Sequence, residues 1–188
     1  MLKESKMDFL ELANKRFSVR NYKETPVTKA DIEKCIQAAR LAPSACNSQP
    51  WKFIVIDEPE LKKEVAKSAF NGPVPINKFA FDAPVLIIIT AEKQNLTAKI
   101  GNIIKKKDFR LFDIGIAAEH FCLQAAELGL GTCMLGWFNE KNLKKLLSLP
   151  ANRSIELIIS MGYSQSDSVP SKNRKDLNQI LTYNSYQS

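Results

Sequence analysis

The stretch that decides how this chain is interpreted is Ala42-Pro43-Ser44-Ala45-Cys46-Asn47-Ser48-Gln49-Pro50-Trp51. It stands between a helical pattern and a strand pattern, and we call residues 42–51 the polar loop. Its Ser, Asn and Gln side chains offer short donors and acceptors that can meet the carbonyls and nitrogens of a flat heterocycle, and two prolines restrict the backbone that presents them. Taken alone the loop has a second interpretation, because loops rich in Ser, Asn and Pro commonly only change the direction of the chain.

A second segment, Arg16-Phe17-Ser18-Val19-Arg20, follows the first helical pattern. In extended backbone, alternate side chains share a face. We therefore expect Arg16, Ser18 and Arg20 to point together, while Phe17 and Val19 point into the protein. Residues 16–20 are called the basic ledge below.

A third segment, Lys172-Asn173-Arg174-Lys175, follows the last hydrophobic strand pattern. A phosphate monoester carries about two negative charges near neutral pH, and the planar Arg side chain matches its oxygens in bidentate fashion. Each basic segment alone is also compatible with a solvated surface.

In this order and spacing, the three segments resemble the nitroreductase family of FMN-dependent oxidoreductases. That family has an Arg-x-Ser-x-Arg/Lys segment, then a Pro-Ser-x-x-Asn-x-Gln-Pro-Trp loop, and finally a Lys-x-Arg or Arg-Lys element. The resemblance extends from Phe9 to about Ile180. It implies an α/β (α+β) fold with a central mixed or mostly antiparallel sheet flanked by helices, in an intertwined homodimer.

The resemblance also implies roles for individual residues. Arg16, Lys172 and Arg174 would face the FMN phosphate and ribityl chain, Ser18 would hold the pyrimidine edge, and Arg20 would stand where the reduced ring develops negative charge. The polar loop would reach the FMN of a partner subunit, and a backbone amide near Gly136 would approach flavin N5. The residues assigned to FMN in this way are Arg16, Ser18, Arg20, Pro43, Ser44, Asn47, Leu135, Gly136, Lys172 and Arg174.

Gly136 has an alternative interpretation as a turn that ends a strand. Phe17 departs from the family, which often has a basic or polar residue there, and Trp137 with Phe138 places a bulky pair beside the expected N5 contact. These side chains either narrow the substrate slot or pack into the protein. The chain is also short for the family, so the helical segment that covers the flavin in larger members is expected to be reduced.

Length and composition predict one domain over residues 1–188. The chain is 45% hydrophobic and 25% charged, which is close to the average of globular proteins and excludes disordered and collagen-like classes. The formal charge of +7 favours anionic partners without choosing among nucleotide, nucleic acid and acidic protein.

The cysteines indicate the compartment. None of the four forms a Cys-x-x-Cys pair, and we interpret them as free thiols in a reducing environment. The N-terminus lacks the apolar core of a signal peptide, so a cytoplasmic location without membrane attachment is expected. Asn95-Leu96-Thr97 matches a glycosylation acceptor, which would not be modified there.

The periodicity predicts alternating helices and strands. Helices are expected over residues 8–16, from Thr28 as N-cap, over 59–68, over 109–128 and over 140–147 after Asn139; strands are expected over 52–57, 84–90, 132–136 and 154–162. Residues 71–82 are expected to be irregular. Residues 109–128 form the longest helix, which is expected to be buried on most sides, either in the core or at a subunit interface.

Other kinds of site find little support. His120 is the only histidine and is interpreted as a hydrogen-bonded structural residue, and Lys105-Lys106-Lys107 as a solvated segment. The leading hypothesis is therefore an FMN enzyme that takes electrons from NADH or NADPH and reduces a nitroaromatic, quinone or similar small-molecule acceptor in ping-pong turnover. The alternatives are a flavin reaction of another type, such as dehalogenation or flavin breakdown, and a basic nucleic-acid-binding module, which lacks a recognition-helix signature.

Overall fold

The computed structural model of the chain describes residues 7–70 and 77–186. Its centre is strand β2, Val85–Ala91, in which all seven residues are buried. A run of β-branched and apolar residues of this length has no polar side to turn to water, so it needs covering layers on both faces.

Within the described residues, four strands form one sheet in the order β1-β2-β4-β3. The other strands are β1, Trp51–Ile56, β3, Gly131–Leu135, and β4, Ser154–Gly162. Every neighbouring pair is antiparallel. The expectation of a mostly antiparallel sheet in an α+β protein is confirmed, and its edges are β1 and β3.

The helices that the structure describes are α1, Phe9–Lys15, α2, Lys29–Arg40, α3, Pro59–Phe70, α4, Leu96–Lys105, α5, Phe109–Glu127, α6, Glu140–Leu146, and α7, Leu177–Ile180. Short 3-10 turns span Ala45–Asn47 and Lys78–Phe81. Most of the predicted helices have the expected bounds to within one or two residues at each end. Thr28 caps α2 as predicted, its Oγ1 accepting a hydrogen bond from the Asp31 amide at 3.1 Å.

The alternation of side chains along β2 builds two cores. Ile87 and Ile89 pack with α2 and α5 on one face of the sheet, while Leu86 and Ile88 pack with α3 and α6 on the other. The sheet is therefore the middle of three layers. None of the helices in residues 7–70 and 77–186 combines the length and apolar character needed to cross a bilayer.

One expectation needs correction. Helix α4 lies where no helix was predicted, although Leu96, Ile100 and Ile104 follow a helical spacing. Helix α5 was expected to be buried in the core or at a subunit interface, and in the single chain Phe112 and Ile116 remain exposed on one of its faces. This favours the interface alternative for α5 over the core alternative. Of the segment expected to be irregular, residues 71–76 lie outside the described residues.

Candidate functional site

The basic ledge is extended and lies against the edge strand β3. Ser18 forms a parallel bridge with Thr132, and the Val19 amide donates to the Thr132 carbonyl at 3.0 Å. Val19 is only 2% exposed, whereas Ser18 and Arg20 are exposed. The predicted alternation is confirmed, because pairing one residue with the strand fixes which side chains face outward.

Gly131 on β3 makes this close approach possible. A Cβ placed on Gly131 would lie 2.4 Å from Val19 Cγ2, well inside contact distance. The glycine is required by the packing of the ledge and not by an unusual φ. Below the ledge, Tyr22 donates from its hydroxyl to the Val19 carbonyl at 2.9 Å and contacts Ser160 Oγ at 2.8 Å.

The ledge arginines are held by different partners. Arg16 Nε lies 3.2 Å from Glu119 Oε1 on α5, with 21% of the arginine side chain exposed. Arg20 donates to the Ser18 carbonyl at 3.3 Å, and its guanidinium carbon lies 5.8 Å from the centroid of the Phe79 ring, within the range of a cation–π contact. Phe79 therefore supports the orientation of Arg20, which the sequence patterns do not predict.

Lys172 joins the C-terminal basic segment to the ledge. Its Nζ donates to the carbonyls of Ala13, Asn14 and Arg16 at 2.8, 2.5 and 2.7 Å. These carbonyls belong to the end of α1, where helical partners run out and a cation is favourable. Desolvation, and then the nearby charges of Arg16 and Arg174, lower the pKa of Lys172. Three of the predicted phosphate residues thus share one electrostatic environment.

The predicted pair Leu135 and Gly136 stands at the end of β3. Leu135 is buried, whereas Gly136 is exposed and a Cβ placed on it would meet nothing within 4 Å. Gly129 follows the end of α5, and it is the glycine with a positive φ, 78°, among the described residues. Within the described residues, neither packing nor backbone conformation therefore requires a glycine at position 136.

The aromatic residues beside Gly136 differ in burial. Phe17 and Phe138 are partly buried against the core under the sheet, so both pack. Trp137 is 72% exposed, and its carbonyl accepts a hydrogen bond from Asn77 Nδ2 at 3.1 Å. Trp137 is thus the member of the bulky pair that is available to a bound molecule.

The polar loop has a different backbone from the ledge. Cys46, Asn47 and Gln49 have φ values of 51°, 51° and 46°, in the left-handed region that residues with a Cβ seldom occupy. Within the loop, the Gln49 amide donates to Ser44 Oγ at 2.9 Å, and Gln49 Nε2 donates to Asn47 Oδ1 at 3.0 Å. Pro43 and Asn47 are exposed and Ser44 is partly exposed.

Two side chains outside the loop hold it, and sequence reasoning gave neither this role. Asp113 on α5 accepts a hydrogen bond from the Ala45 amide at 3.0 Å. Asn95, before α4, donates from Nδ2 to the Cys46 carbonyl at 2.8 Å. The sequence contains one signal for each role. Asp113 is a polar residue on a helix of small residues, and Asn95 stands three residues before Ala98, a position typical of a helix N-cap.

The structure brings some predicted residues together and separates others. The ledge and Lys172 form one region, and the ledge pairs with Thr132 near the start of β3, the strand that ends at Leu135. Asp113 holds the polar loop near the start of α5. Glu119, the partner of Arg16, lies further along the same helix, and at a rise of 1.5 Å per residue Asp113 and Glu119 are about 9 Å apart along the helix axis. A cleft of about 250 Å³ is lined by Arg16 but by none of the other predicted cofactor residues.

An apolar groove lies on the exposed face of α5. It has a volume of about 570 Å³, and its lining includes Phe9, Leu111, Phe112, Ile116, Glu119 and Leu123. Of these residues, Glu119 contacts Arg16 of the ledge, and Phe112 is the helix residue before Asp113, which holds the polar loop. Exposed apolar surface of this kind marks a contact with another molecule.

The histidine and the cysteines agree with the sequence analysis. His120 Nδ1 lies 3.2 Å from the Ala38 carbonyl, as expected of a structural histidine. The four cysteines are free, and Cys46 is the exposed one among them. The residues that the structure describes contain no cluster of His, Cys, Asp or Glu that could hold a metal ion.

Comparisons with known proteins extend this picture. The model of the Nitroreductase family matches residues 13–76 and 71–163. A protein of Archaeoglobus fulgidus, named provisionally as an NADH dehydrogenase or NAD(P)H nitroreductase, is 30% identical over 164 residues, covering 84% of this chain and 86% of its own length. Iodotyrosine deiodinase 1 of Pongo abelii is 30% identical over 207 residues, covering 96% of this chain and 70% of its own.

A solved structure has the same fold. The FMN-dependent nitroreductase from Clostridium difficile R20291 superposes with a TM-score of 0.74 at 30% identity, covering 93% of this chain and 98% of its own. The match of the family model spans most of the chain, including the ledge and the polar loop. The chain therefore belongs to the nitroreductase family, and its antiparallel sheet with flanking helices is the nitroreductase fold.

Proposed function

We propose that this chain is a homodimeric FMN-dependent oxidoreductase that takes electrons from NADH or NADPH and passes them to a nitroaromatic, quinone or similar conjugated acceptor in ping-pong turnover. The observation that carries the proposal is the assembly of cations at the ledge. Lys172 contacts the Arg16 carbonyl although 156 residues separate them in sequence. Like charges gathered in this way favour a multivalent anion, and the phosphate of FMN is one.

The groups that would hold FMN fall into two sets. Arg16 and Arg174 offer guanidinium groups to the phosphate, and Lys172, whose ammonium donates to the end of α1, brings the C-terminal segment to them. Ser18 and Arg20 face outward on the same side of the ledge, where they suit the polar edge of the ring. The open space at Gly136 leaves room for a ring to approach the backbone at the end of β3.

A second copy of the chain is needed to bring the polar loop to the ledge. In one chain they contact different points along α5, Asp113 for the loop and Glu119 for the ledge, and the apolar groove lies on the exposed face of the same helix. If two copies meet through this groove about a two-fold axis, the loop of each faces the ledge of the other, since such an interface uses the same patch twice. Pro43, Ser44 and Asn47 would then reach the FMN on the partner's ledge.

Bound FMN would supply the two-electron chemistry between nicotinamide and acceptor. The residues of this chain bind and orient the cofactor and adjust its electrostatics. Arg20, held over Phe79, offsets the negative charge that reduction places on the ring. Trp137, exposed beside Gly136, offers an aromatic surface to a conjugated acceptor.

The first test is the visible spectrum of the purified protein, combined with its mass in solution. We expect flavin absorption, FMN released on denaturation, oxidation of NADH or NADPH when an acceptor is added, and a dimer by sedimentation. Phe112→Glu places a charge in the groove at a residue that is 58% exposed in the single chain. This variant should fold, sediment as a monomer and lose FMN.

Other results would contradict the proposal. A colourless protein that does not take up FMN, yet binds DNA with a steep dependence on salt, would support the nucleic-acid alternative. A Phe112→Glu variant that remains dimeric would remove the groove from the interface. Leu177→Glu is the matched control, because Leu177 is an exposed apolar residue, at 68% against 58% for Phe112, and lies outside the groove.

Dehalogenation is the second candidate for the same site. It is favoured by the 30% identity to iodotyrosine deiodinase 1 over nearly the whole chain. Release of iodide from an iodinated phenol by the reduced protein would support it, whereas reduction of nitroaromatics alone would favour the first candidate.

A further inference from the structure

The polar loop adopts a backbone that its own sequence does not favour. Cys46, Asn47 and Gln49 all have φ near +50°, and none is a glycine. A left-handed conformation brings Cβ close to the backbone, so several such residues persist together only where surrounding contacts impose the shape. Hydrogen bonds within the loop, from Gln49 to Ser44 and Asn47, support this shape, and two side chains outside the loop add to them.

Asp113 provides the first contact. Its side chain is buried, with 4% of the residue exposed, and Oδ1 accepts the Ala45 amide at 3.0 Å. Its second oxygen, Oδ2, is buried without a hydrogen-bond partner among the described residues. A buried carboxylate with so few hydrogen bonds is costly, and burial raises the pKa of Asp113. Among the described residues, the one hydrogen bond that the Asp113 carboxyl group accepts comes from the Ala45 amide of the loop.

Asn95 provides the second contact and also begins a helix. Its Nδ2 donates to the Cys46 carbonyl at 2.8 Å, and its backbone amide donates to Ser48 Oγ at 3.0 Å. Its Oδ1 accepts the Ala98 amide at 2.9 Å, which caps the first turn of α4. One side chain thus ties the loop to α4, the helix that the sequence did not predict.

We propose that Asp113 and Asn95 are positioning residues that hold the polar loop in its left-handed shape before FMN binds, and that Asn95 makes the position of the loop depend on the start of α4. The role in catalysis rests on the function proposed above, in which the loop contacts the FMN of the partner. The locking of the loop itself is a property of the chain without cofactor, and it can be measured without FMN.

Cys46 is a built-in probe of the loop. It is exposed and lies between the two contacts, whereas Cys35, Cys122 and Cys133 are buried. The rate at which DTNB modifies the native protein therefore reports how freely the loop moves. Loss of one hydrogen bond that holds the loop should raise this rate about five-fold, the factor that corresponds to the net worth of a neutral hydrogen bond.

The variants separate the contacts from general damage. Asn95→Asp retains an oxygen to cap α4 but replaces the N–H that faces the Cys46 carbonyl. Asp113→Ala removes the acceptor of the Ala45 amide, and Asp113→Asn restores it. Asn139→Asp is the matched control, because Asn139 caps α6 by accepting the Asn142 amide at 3.1 Å, away from the loop.

We expect Asn95→Asp and Asp113→Ala to raise the DTNB rate of the apo-protein about five-fold and to weaken FMN binding by a similar factor, because binding then includes the cost of ordering the loop. Asp113→Asn and Asn139→Asp should match the wild type in both measurements. Should Asp113→Ala not fold, the Asn95→Asp and Asp113→Asn pair still decides the matter.

The outcomes are distinguishable. Unchanged DTNB rates in Asn95→Asp and Asp113→Ala would overturn the locking of the loop. A raised rate with unchanged FMN affinity would overturn the positioning role, provided that the wild type binds FMN. A wild type that does not bind FMN would contradict the proposed function and leave the locking of the loop to be judged by the thiol rates alone.

Discussion

The basic ledge and the polar loop present polar side chains in two physically different ways. The ledge is extended and is held by its main chain, through the Val19 amide and the Thr132 carbonyl, over a glycine that leaves room for Val19. The polar loop is left-handed and is held by the side chains of Asp113 and Asn95. The conformation of the ledge therefore depends on the space that Gly131 leaves for Val19, whereas the conformation of the loop depends on single hydrogen bonds from Asp113 and Asn95.

Gly131→Ala should break the ledge and leave the loop intact. The new Cβ would lie 2.4 Å from Val19 Cγ2 and 2.8 Å from Val19 Cβ, and neither Val19 nor β3 can move freely. We expect the free energy of unfolding in urea to fall by about 2–3 kcal/mol, as for overpacking of a tight core.

Gly136→Ala is the matched control for that measurement, because its Cβ would meet nothing within 4 Å. The stability of its apo-protein should equal that of the wild type. Equal stability of the two variants would show that the ledge can shift away from β3 and is held less tightly than its main-chain contacts indicate.

Arg174→Ala tests the charge of the ledge region without changing its packing, since Arg174 is exposed. The affinity for FMN should fall about thirty-fold, the factor that corresponds to loss of a charged hydrogen bond of about 2 kcal/mol. The affinity for riboflavin, which has no phosphate, should not change. Isothermal titration with both ligands measures the difference.

Lys175→Ala serves as the control for Arg174→Ala, since the neighbouring Lys175 is also exposed and was not assigned to FMN. Equal losses of FMN and riboflavin affinity in Arg174→Ala would remove Arg174 from the phosphate site and give it a role in holding the segment instead.

The thiols sharpen the comparison further, because those near the ledge are buried and the thiol of the loop is exposed. Burial raises the pKa of Cys122 from 9.0 to about 12. The folded chain therefore keeps a proton that the unfolded chain loses above pH 9, so this contribution to stability is complete below pH 9 and is lost as the pH rises toward 12.

Between pH 8 and pH 10 this thiol alone should lower the free energy of unfolding by about 1.4 kcal/mol. Cys122→Ala should reduce the pH dependence by that amount, whatever its effect on stability at pH 8. Unfolding in urea at pH 8 and at pH 10 measures this change in the free energy of unfolding. An identical pH dependence in Cys122→Ala and the wild type would contradict the pKa shift.

The same contrast explains what could be predicted from the sequence. The outward face of the ledge follows from the alternation of Arg16, Ser18 and Arg20 with apolar residues, and β4 has the predicted bounds, because both are local patterns. The shape of the polar loop does not follow from its own residues, since Asp113 lies 68 positions from Ala45 and Asn95 lies 49 positions from Cys46. Local sequence patterns cannot predict either contact, because the partners are far apart in the sequence.

The missed helix α4 has a related cause. Asn95-Leu96-Thr97 matches a glycosylation acceptor, and the same Asn95 caps α4, so one local pattern is compatible with two roles. The sequence left two alternatives open for α5, because small residues and a polar stripe indicate burial without indicating whether the covering surface belongs to the same chain or to a second one.

The bridge between Ser18 and Thr132 also covers part of an exposed edge of the sheet. Strand β3 is an edge, and its outer backbone groups would otherwise be free to pair with a strand of another molecule. By lying along that edge, the segment that carries the cations also blocks such pairing. Changes that detach this segment from β3 would expose a template for aggregation, so we expect such variants to be less soluble than the wild type.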